Sequence, residues 1–475
     1  MSNRRSLIIL FSIAALSFIL LASYIGNSDR VVPQLNSNQD PASGEGSVSL
    51  FPSAEYELHV AVAFSEREFQ TLSEWNGLFE ARVPNIRVTL VNVNPETAYE
   101  HFWEKASLGE QYDIVLLENE WIFDFATNGL IAPVPQEAAA DLADRPPPAL
   151  VPLLRWNGYT WGVSMDLNPY VLVWHPDAIG GTGLDGTSSF QEWWVLNEQV
   201  PFRANAESGG TEGTAGPSGP TDGSAPPEGE EESAASVEYG LYFDALDPHA
   251  LVSLMWAAGV VEGDESGSHF QLSAPEALDP ALQLFQGRAP DKREAGPPRD
   301  TDFFFPLEGQ GFDAWGLLKE GRMASRIAPL SEYSLYGRAE GLEAGLLPGS
   351  SPERSPSVWI RGRSWAVLSR SQAKEQAFQW IEAMTRHRPL TALAEAAGTL
   401  PASDSAILAG KDKWPEMLAV PWFQEARTFP AMPDYMKRLT IYRNSVKALW
   451  EQEMDWQQFR TAIHQIWHQT SSPLF

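Results

Sequence analysis

No cysteine occurs in the 475-residue chain. That excludes disulfides, thiolate metal sites and cysteine nucleophiles, and it removes the usual attachment point of a lipid anchor. It leaves the compartment open, because exported proteins can dispense with bridges. Positive charge is scarce: 33 Lys and Arg stand against 62 Asp and Glu, a formal net charge of −29. Such a surface repels phosphate backbones and no basic run offsets it, so no nucleic-acid partner is expected. A GxSxG elbow and a GxxxxGK[ST] loop are both missing. Gly181 to Gly186 matches GxGxxG, but the acidic partner about 20 positions on would fall at the edge of a polar stretch, so the segment reads as a loop. His464 and His468 have the i, i+4 spacing of a zinc pair. Gln465 stands where a catalytic Glu would be and no third ligand is apparent, so neither a metal nor a cofactor is expected.

Apolar residues make up 43% of the chain and aromatics 11%, with 18 tryptophans, enough for a sizeable core in two or three domains. Arg4 and Arg5 precede an uncharged apolar run of 19 residues, Leu7 to Ile25. That is about the ~20 residues a helix needs to cross a bilayer, and longer than the roughly 7–15 of a signal-peptide core. The run predicts an N-terminal membrane anchor helix (1–26), with a cleaved signal as the alternative. The arginines place the remainder outside the cell membrane. Residues 27–54 read as a flexible stalk.

From Glu57 the pattern turns periodic. Leu58–Val62, Ile86–Val93 and Asp113–Leu117 read as strands, with helical spacing between them and a short helix at Trp121–Asn128 closed by Gly129. This βαβαβα rhythm implies an α/β lobe. Tyr159–Val163 and Tyr170–Trp174 read as further strands. Residues 204–236 hold almost no large apolar side chain and predict a disordered acidic insertion. Beyond it, Pro248–Ala258, Pro275–Phe285, Gly311–Glu320 and Gln372–Thr385 read as helices, and Arg322–Pro329 and Ser357–Ser369 as strands. Asp434 is placed to cap a last helical stretch.

In open α/β sheets ligands bind beyond the carboxyl ends of strands. Ser65, Glu66 and Arg67 follow the first strand. Glu118, Asn119, Glu120 and Trp121 follow Asp113–Leu117. Asp166 and Asn168 lie between the two strands after Trp161. Acids and amides there suit a ligand rich in hydroxyls or amines, and a Trp face stacks on sugar C–H surfaces. The plainer reading is helix capping by Glu118 and Asn119 with Trp121 in the core, and most of the tryptophans are core in either case. Trp121, Trp359 and Trp365 sit beside polar loop residues.

Several stretches resemble a known family. YDIVLLENEWIFDFATNGLIAPV is similar to its strand, polar loop and short helix. WNGYTWGVSMDLNPYVLVWHPDAI resembles its entry into a second lobe. FDAWGLLKEGRMASRIAPLSEYSLY, SWAVLSRSQAKEQAFQWIEAMT and LAEAAGTLPASDSAI resemble its later segments. Together they resemble extracellular solute-binding protein family 1, the maltose-binding-like substrate-binding proteins of ABC transporters. The resemblance implies a two-lobed periplasmic-binding-protein-like α/β fold, a Venus flytrap. Lobe 1 would span 55–152 plus 351–403, and lobe 2 would span 153–350 plus 404–475.

The resemblance also implies a non-enzymatic protein that binds a small polar solute, a sugar or oligosaccharide, and delivers it to ABC permease subunits. Two alternatives stand beside it: a binding protein feeding a membrane sensor, and an extracytoplasmic glycosidase using two carboxylates. Ligand contacts carried over are Ser65, Glu66, Glu118, Glu120, Trp121, Asp166 and Asn168, with Tyr333 as the cleft aromatic and Trp359 and Arg361 near the hinge. Arg361-Gly362-Arg363 departs from the small-residue pair of the family and points to an anionic sugar.

Overall fold

The structure is a computed structural model. It describes residues 56–109, 112–136, 148–180, 237–259, 312–349, 358–409 and 426–468, Leu307, and short stretches within 182–195, 261–263 and 270–272. The expected anchor, stalk, acidic insertion and 275–285 helix lie outside the described residues. No helix among the described residues is long and apolar enough to cross a membrane.

The first half of the fold follows the expected rhythm: β1 (Tyr56–Val62), α1 (Glu66–Arg82), β2 (Ile86–Asn92), α2 (Ala98–Leu108), β3 (Ile114–Glu118) and α3 (Asn119–Thr127). β1 pairs in parallel with both β2 and β3, which requires the intervening helices as crossovers. Successive residues divide between the faces of this sheet. Val60, Val62, Ile114 and Leu116 pack in one apolar cluster, and Ala61, Val115 and Leu117 in another. Ser65 caps α1 in a reciprocal box with Glu68.

The second half holds β4 (Val163–Ser164), β5 (Asp166–Trp174), β6 (Tyr239–Phe243), α4 (Pro248–Ala257), β7 (Met323–Pro329) and β8 (Glu343–Leu346). After these come β9 (Ile360–Arg361), β10 (Arg363–Val367), α5 (Lys374–Met384), α6 (His387–Ala397), β11 (Leu400–Pro401), α7 (Tyr435–Trp450) and α8 (Trp456–His468). The first sheet has the order β2-β1-β3-β10-β4 and the second the order β8-β5-β7-β6. Three stretches of chain pass from one sheet to the other. β4 belongs to the first and β5 to the second. β9 pairs with β5 while β10, one residue later, pairs with β3. β11, which follows α6, also pairs with β5. At these crossings Arg361 lies opposite Asn168, and Pro401 opposite Asp166.

Three local expectations change. Asp166 and Asn168 lie within β5, not between strands, because β9 and β11 supply the pairing that extends it toward its N-terminus. Ser357–Ser369 is divided into β9 and β10 by Gly362, where the chain changes sheets. Asp434 does not cap α7 with its side chain; its own φ is 57°. The Asp124 carboxylate of α3 accepts from the Asp434 and Tyr435 amides at 2.9 and 3.1 Å instead, satisfying the orphan donors of the α7 N-terminus from another helix.

Candidate functional site

A cavity of about 200 Å³ lies between the two sheets, lined by Glu68, Glu118, Asp166, Asn168, Ser331, Arg361, Gly362, Arg363, Ala397 and Thr399. It sits beyond the carboxyl end of β3, where Glu118 is the last residue. Strand alternation builds one of its walls. Asp166 and Asn168 on β5, and Arg361 and Arg363 on the crossing chain, all line the cavity. Tyr170 and Trp359 continue the same two alternations into a buried cluster alongside.

The charges in the cavity are mutually paired. Arg363 reaches Glu68 at 2.8 Å and Asp166 at 2.5 Å. Asp166, 1% exposed, also accepts from the Arg363 amide and from Thr399 Oγ1. This arrangement ties α1, β5, β10 and the α6–β11 turn together. Arg361 meets Glu118 more loosely, at 3.4 Å, and the two side chains keep 31% and 25% of their surface exposed. Asn168 and Ser331 bond reciprocally: Asn168 Nδ2 donates to Ser331 Oγ, and the Ser331 amide donates to Asn168 Oδ1.

The adjoining cluster is buried. Glu120 is 4% exposed and His249 3%. Glu120 Oε1 lies 3.5 Å from His249 Nε2, which is 3.1 Å from the Tyr435 hydroxyl. Trp359 Nε1 donates to His249 Nδ1 at 3.1 Å. Tyr170 stacks on the imidazole at 6.0 Å and Phe429 meets it edge-on at 4.6 Å. Asp247 caps α4 through the His249 amide and accepts a short hydrogen bond from the Tyr170 hydroxyl. Burial pushes the Glu120 carboxyl up to about 8, with Glu118 adding to the rise. Burial, then Arg361, holds the His249 imidazole well below its ordinary value.

The structure brings six of the expected residues to this region: Glu118, Asp166, Asn168 and Arg361 in the cavity wall, and Glu120 and Trp359 in the buried cluster. The others sit elsewhere. Ser65 is occupied as the cap of α1, and Glu66 is exposed on that helix's first turn. Trp121 meets Tyr99 edge-on at 5.3 Å and packs against the core. Tyr333 is 7% exposed and donates to the Leu342 carbonyl. Trp365 packs edge-on against Trp380 at 5.1 Å. Sequence reasoning missed Glu68, Thr399, Ser331, His249 and Tyr435. Glu68 was readable as the fourth residue of a capping box, and the i, i+2 series Trp359/Arg361/Arg363 marked one strand face. Nothing local marked His249 or Tyr435.

Among the described residues no group of three His, Cys, Asp or Glu is placed to hold a metal.

This topology of two sheets joined by three crossings is that of the two-lobed periplasmic binding proteins. No protein-family model and no curated protein sequence matches the chain. Among solved structures, the chain is similar to the GacH receptor of Streptomyces glaucescens, solved unliganded and with acarbose. That match has 16% identity and a TM-score of 0.65 over 88% of this chain and 99% of that one. It is also similar to the maltose/maltodextrin-binding domain MalE of Bdellovibrio bacteriovorus bound to maltotriose, at 16% identity and a TM-score of 0.62 over 87% and 99%. The Thermus thermophilus maltotriose-binding protein matches at 19% identity and a TM-score of 0.59 over 87% and 98%. The chain therefore has the maltose-binding-like fold.

Proposed function

We propose that the chain is an extracytoplasmic solute-binding protein that takes a neutral polyhydroxyl ligand, a sugar or short oligosaccharide, for an ABC-type importer, and that it is not an enzyme. The observation that carries this reading is the cavity wall: polar side chains from three separate crossings, turned to one space between two sheets. A ligand bridging the two sides stabilises a closed arrangement over an open one, and a permease reads that difference. In this reading the first sheet anchors lobe 1 (55–152 plus 351–403) and the second anchors lobe 2 (153–350 plus 404–475). The chain is tethered by its N-terminal segment.

Pairing decides the ligand's charge. Arg363 is already paired with Glu68 and Asp166, and Arg361 faces Glu118. Three carboxylates against two guanidiniums disfavour an added anion, which replaces the expectation of an acidic sugar. The loosely held Arg361–Glu118 pair is suited to a hydroxyl group that accepts from one partner and donates to the other. A glycosidase needs one carboxyl proton-ready beside the scissile bond and a second facing it. Asp166 is locked to Arg363, and Glu120 is enclosed away from the cavity.

Calorimetric titration of the purified chain with neutral sugars, uronic acids and amino sugars tests this. Heat with a neutral sugar, lost at least tenfold in Arg361→Ala, is expected. No heat with any member of the panel refutes the carbohydrate reading.

A further inference from the structure

Two arginines line the cavity among the described residues, and they are supported differently. Arg363 is held by Glu68 and Asp166. Arg361 meets the Glu118 carboxylate at 3.4 Å on one side and reaches the Tyr170 hydroxyl on the other. Tyr170 is fully buried, and its hydroxyl donates to Asp247 at the start of α4. We propose that Tyr170 and Asp247 are positioning residues for ligand binding: a run of hydrogen bonds from the α4 N-terminus fixes the Arg361 guanidinium, so that its remaining N–H donors meet a ligand hydroxyl in one orientation. The role rests on the cavity being the ligand site proposed above.

Strand register makes the first link. Arg361 on β9 lies opposite Asn168 on β5, and the Tyr170 amide donates to the Trp359 carbonyl further along the same ladder. Opposite residues of an antiparallel pair share a face, and the diagonal neighbour two residues on is within reach of a long side chain. Tyr170 is that neighbour of Arg361. The bonding roles follow from what each group can do. A guanidinium only donates, whereas a phenol has one proton and lone pairs on the same oxygen. Burial, with Asp247 adding to it, keeps the Tyr170 phenol protonated. Its single proton goes to Asp247, which leaves the oxygen to accept from Arg361. Donating in one direction strengthens it as an acceptor in the other.

Asp247 is itself held in place. Its Oδ1 accepts from the His249 amide at 3.0 Å and caps α4, and a helix N-terminus favours the carboxylate form. Tyr170 is thus backed by a helix cap, while Glu118 keeps 25% of its side chain exposed and makes a long contact. A hydroxyl entering the cavity shares or displaces Glu118. The bond to Tyr170 stays and sets the direction of the planar guanidinium fork.

Two variants test this by different routes. Tyr170→Phe removes the acceptor and keeps the ring. Asp247→Asn leaves one acceptor oxygen where two are used, so the cap and the phenol cannot both be served. The first readout needs no ligand: phenylglyoxal modification of the full chain, with Arg361 and Arg363 followed separately by peptide mass spectrometry. Arg361 is expected to react roughly tenfold faster in either variant, the factor set by losing one hydrogen bond to a charged group. Arg363, with its own partners intact, should keep its wild-type rate. An unchanged Arg361, or both arginines accelerated alike, overturns the proposal. The second readout is calorimetry with a neutral sugar. Each variant is expected to weaken binding roughly tenfold, and by less than about twofold where Arg361 is already Ala. Equal losses in both backgrounds overturn the positioning role. If the wild type binds no sugar, the carbohydrate reading fails in the calorimetry, and the labelling still decides whether Tyr170 and Asp247 hold Arg361.

Discussion

Asp166 shows how a polar side chain is held at the bottom of a cleft. It is 1% exposed, yet its oxygens accept from the Arg363 amide, the Arg363 guanidinium and Thr399. Deleting one member of such a pair strands the other charge. Asp166→Ala is expected to destabilise the fold by about 3–5 kcal/mol, measured by urea denaturation. Replacing Arg361, which keeps 31% of its side chain exposed and meets Glu118 at 3.4 Å and the Tyr170 hydroxyl, should change stability less than that. A shift below about 1 kcal/mol in Asp166→Ala, within the range of exposed ion pairs, would contradict its role as the tie. These roles could not be read locally. The sequence marks Asp166 and Asn168 as polar near a strand, and Ser65 as polar after one, with equal force. Only Asp166 and Asn168 reach the cavity, because Ser65 is already committed to Glu68.

At the scale of elements, the crossings carry the design. Gly362 is the single residue between β9 and β10, at the point where the chain leaves one sheet for the other. A Cβ there would stand 2.2 Å from the Asp166 carbonyl oxygen and 3.3 Å from Asn119 Nδ2. The backbone of β5 cannot retreat without breaking its pairing with β9 and β11. Gly362→Ala is expected to weaken that pairing, visible as faster amide exchange at Asn168 and Tyr170, with the β1–β2 amides unchanged. Uniform protection in the variant would show that the crossing tolerates the methyl group. Most elements here were legible, because strand alternation and helical spacing are local properties. Misplacements fell where a distant segment supplies the partner. β5 begins earlier than its apolar run suggests, since β11 and β9 pair with its polar end, and α7 is capped by Asp124 of α3 and not by Asp434.

For the molecule as a whole, the buried Glu120–His249 pair shapes stability against pH. The native state holds one proton between them over the range in which the unfolded chain goes from two to none. Glu120 has its pKa raised from 4.5 to about 8, so its contribution is lost as pH rises. His249 has its pKa lowered from 6.5, so its contribution is lost as pH falls. The two cancel between 4.5 and 6.5. Above that, wild type should lose about 2 kcal/mol relative to Glu120→Gln by pH 8, at about 1.4 kcal/mol per pH unit. Urea midpoints measured across that range check it, and parallel curves for the two proteins would refute it.

Composition and periodicity alone determined that this chain forms α/β layers, lacks thiol chemistry, carries a strong net negative charge and places polar groups at strand ends. Those properties depend on each residue and its near neighbours. Which polar groups share a space was decided only by the tertiary structure. Glu68, Glu118, Asp166, Arg361 and Thr399 come from segments far apart in the chain and meet only where the crossings bring those segments together. Pairing and desolvation depend on distances that no local pattern encodes.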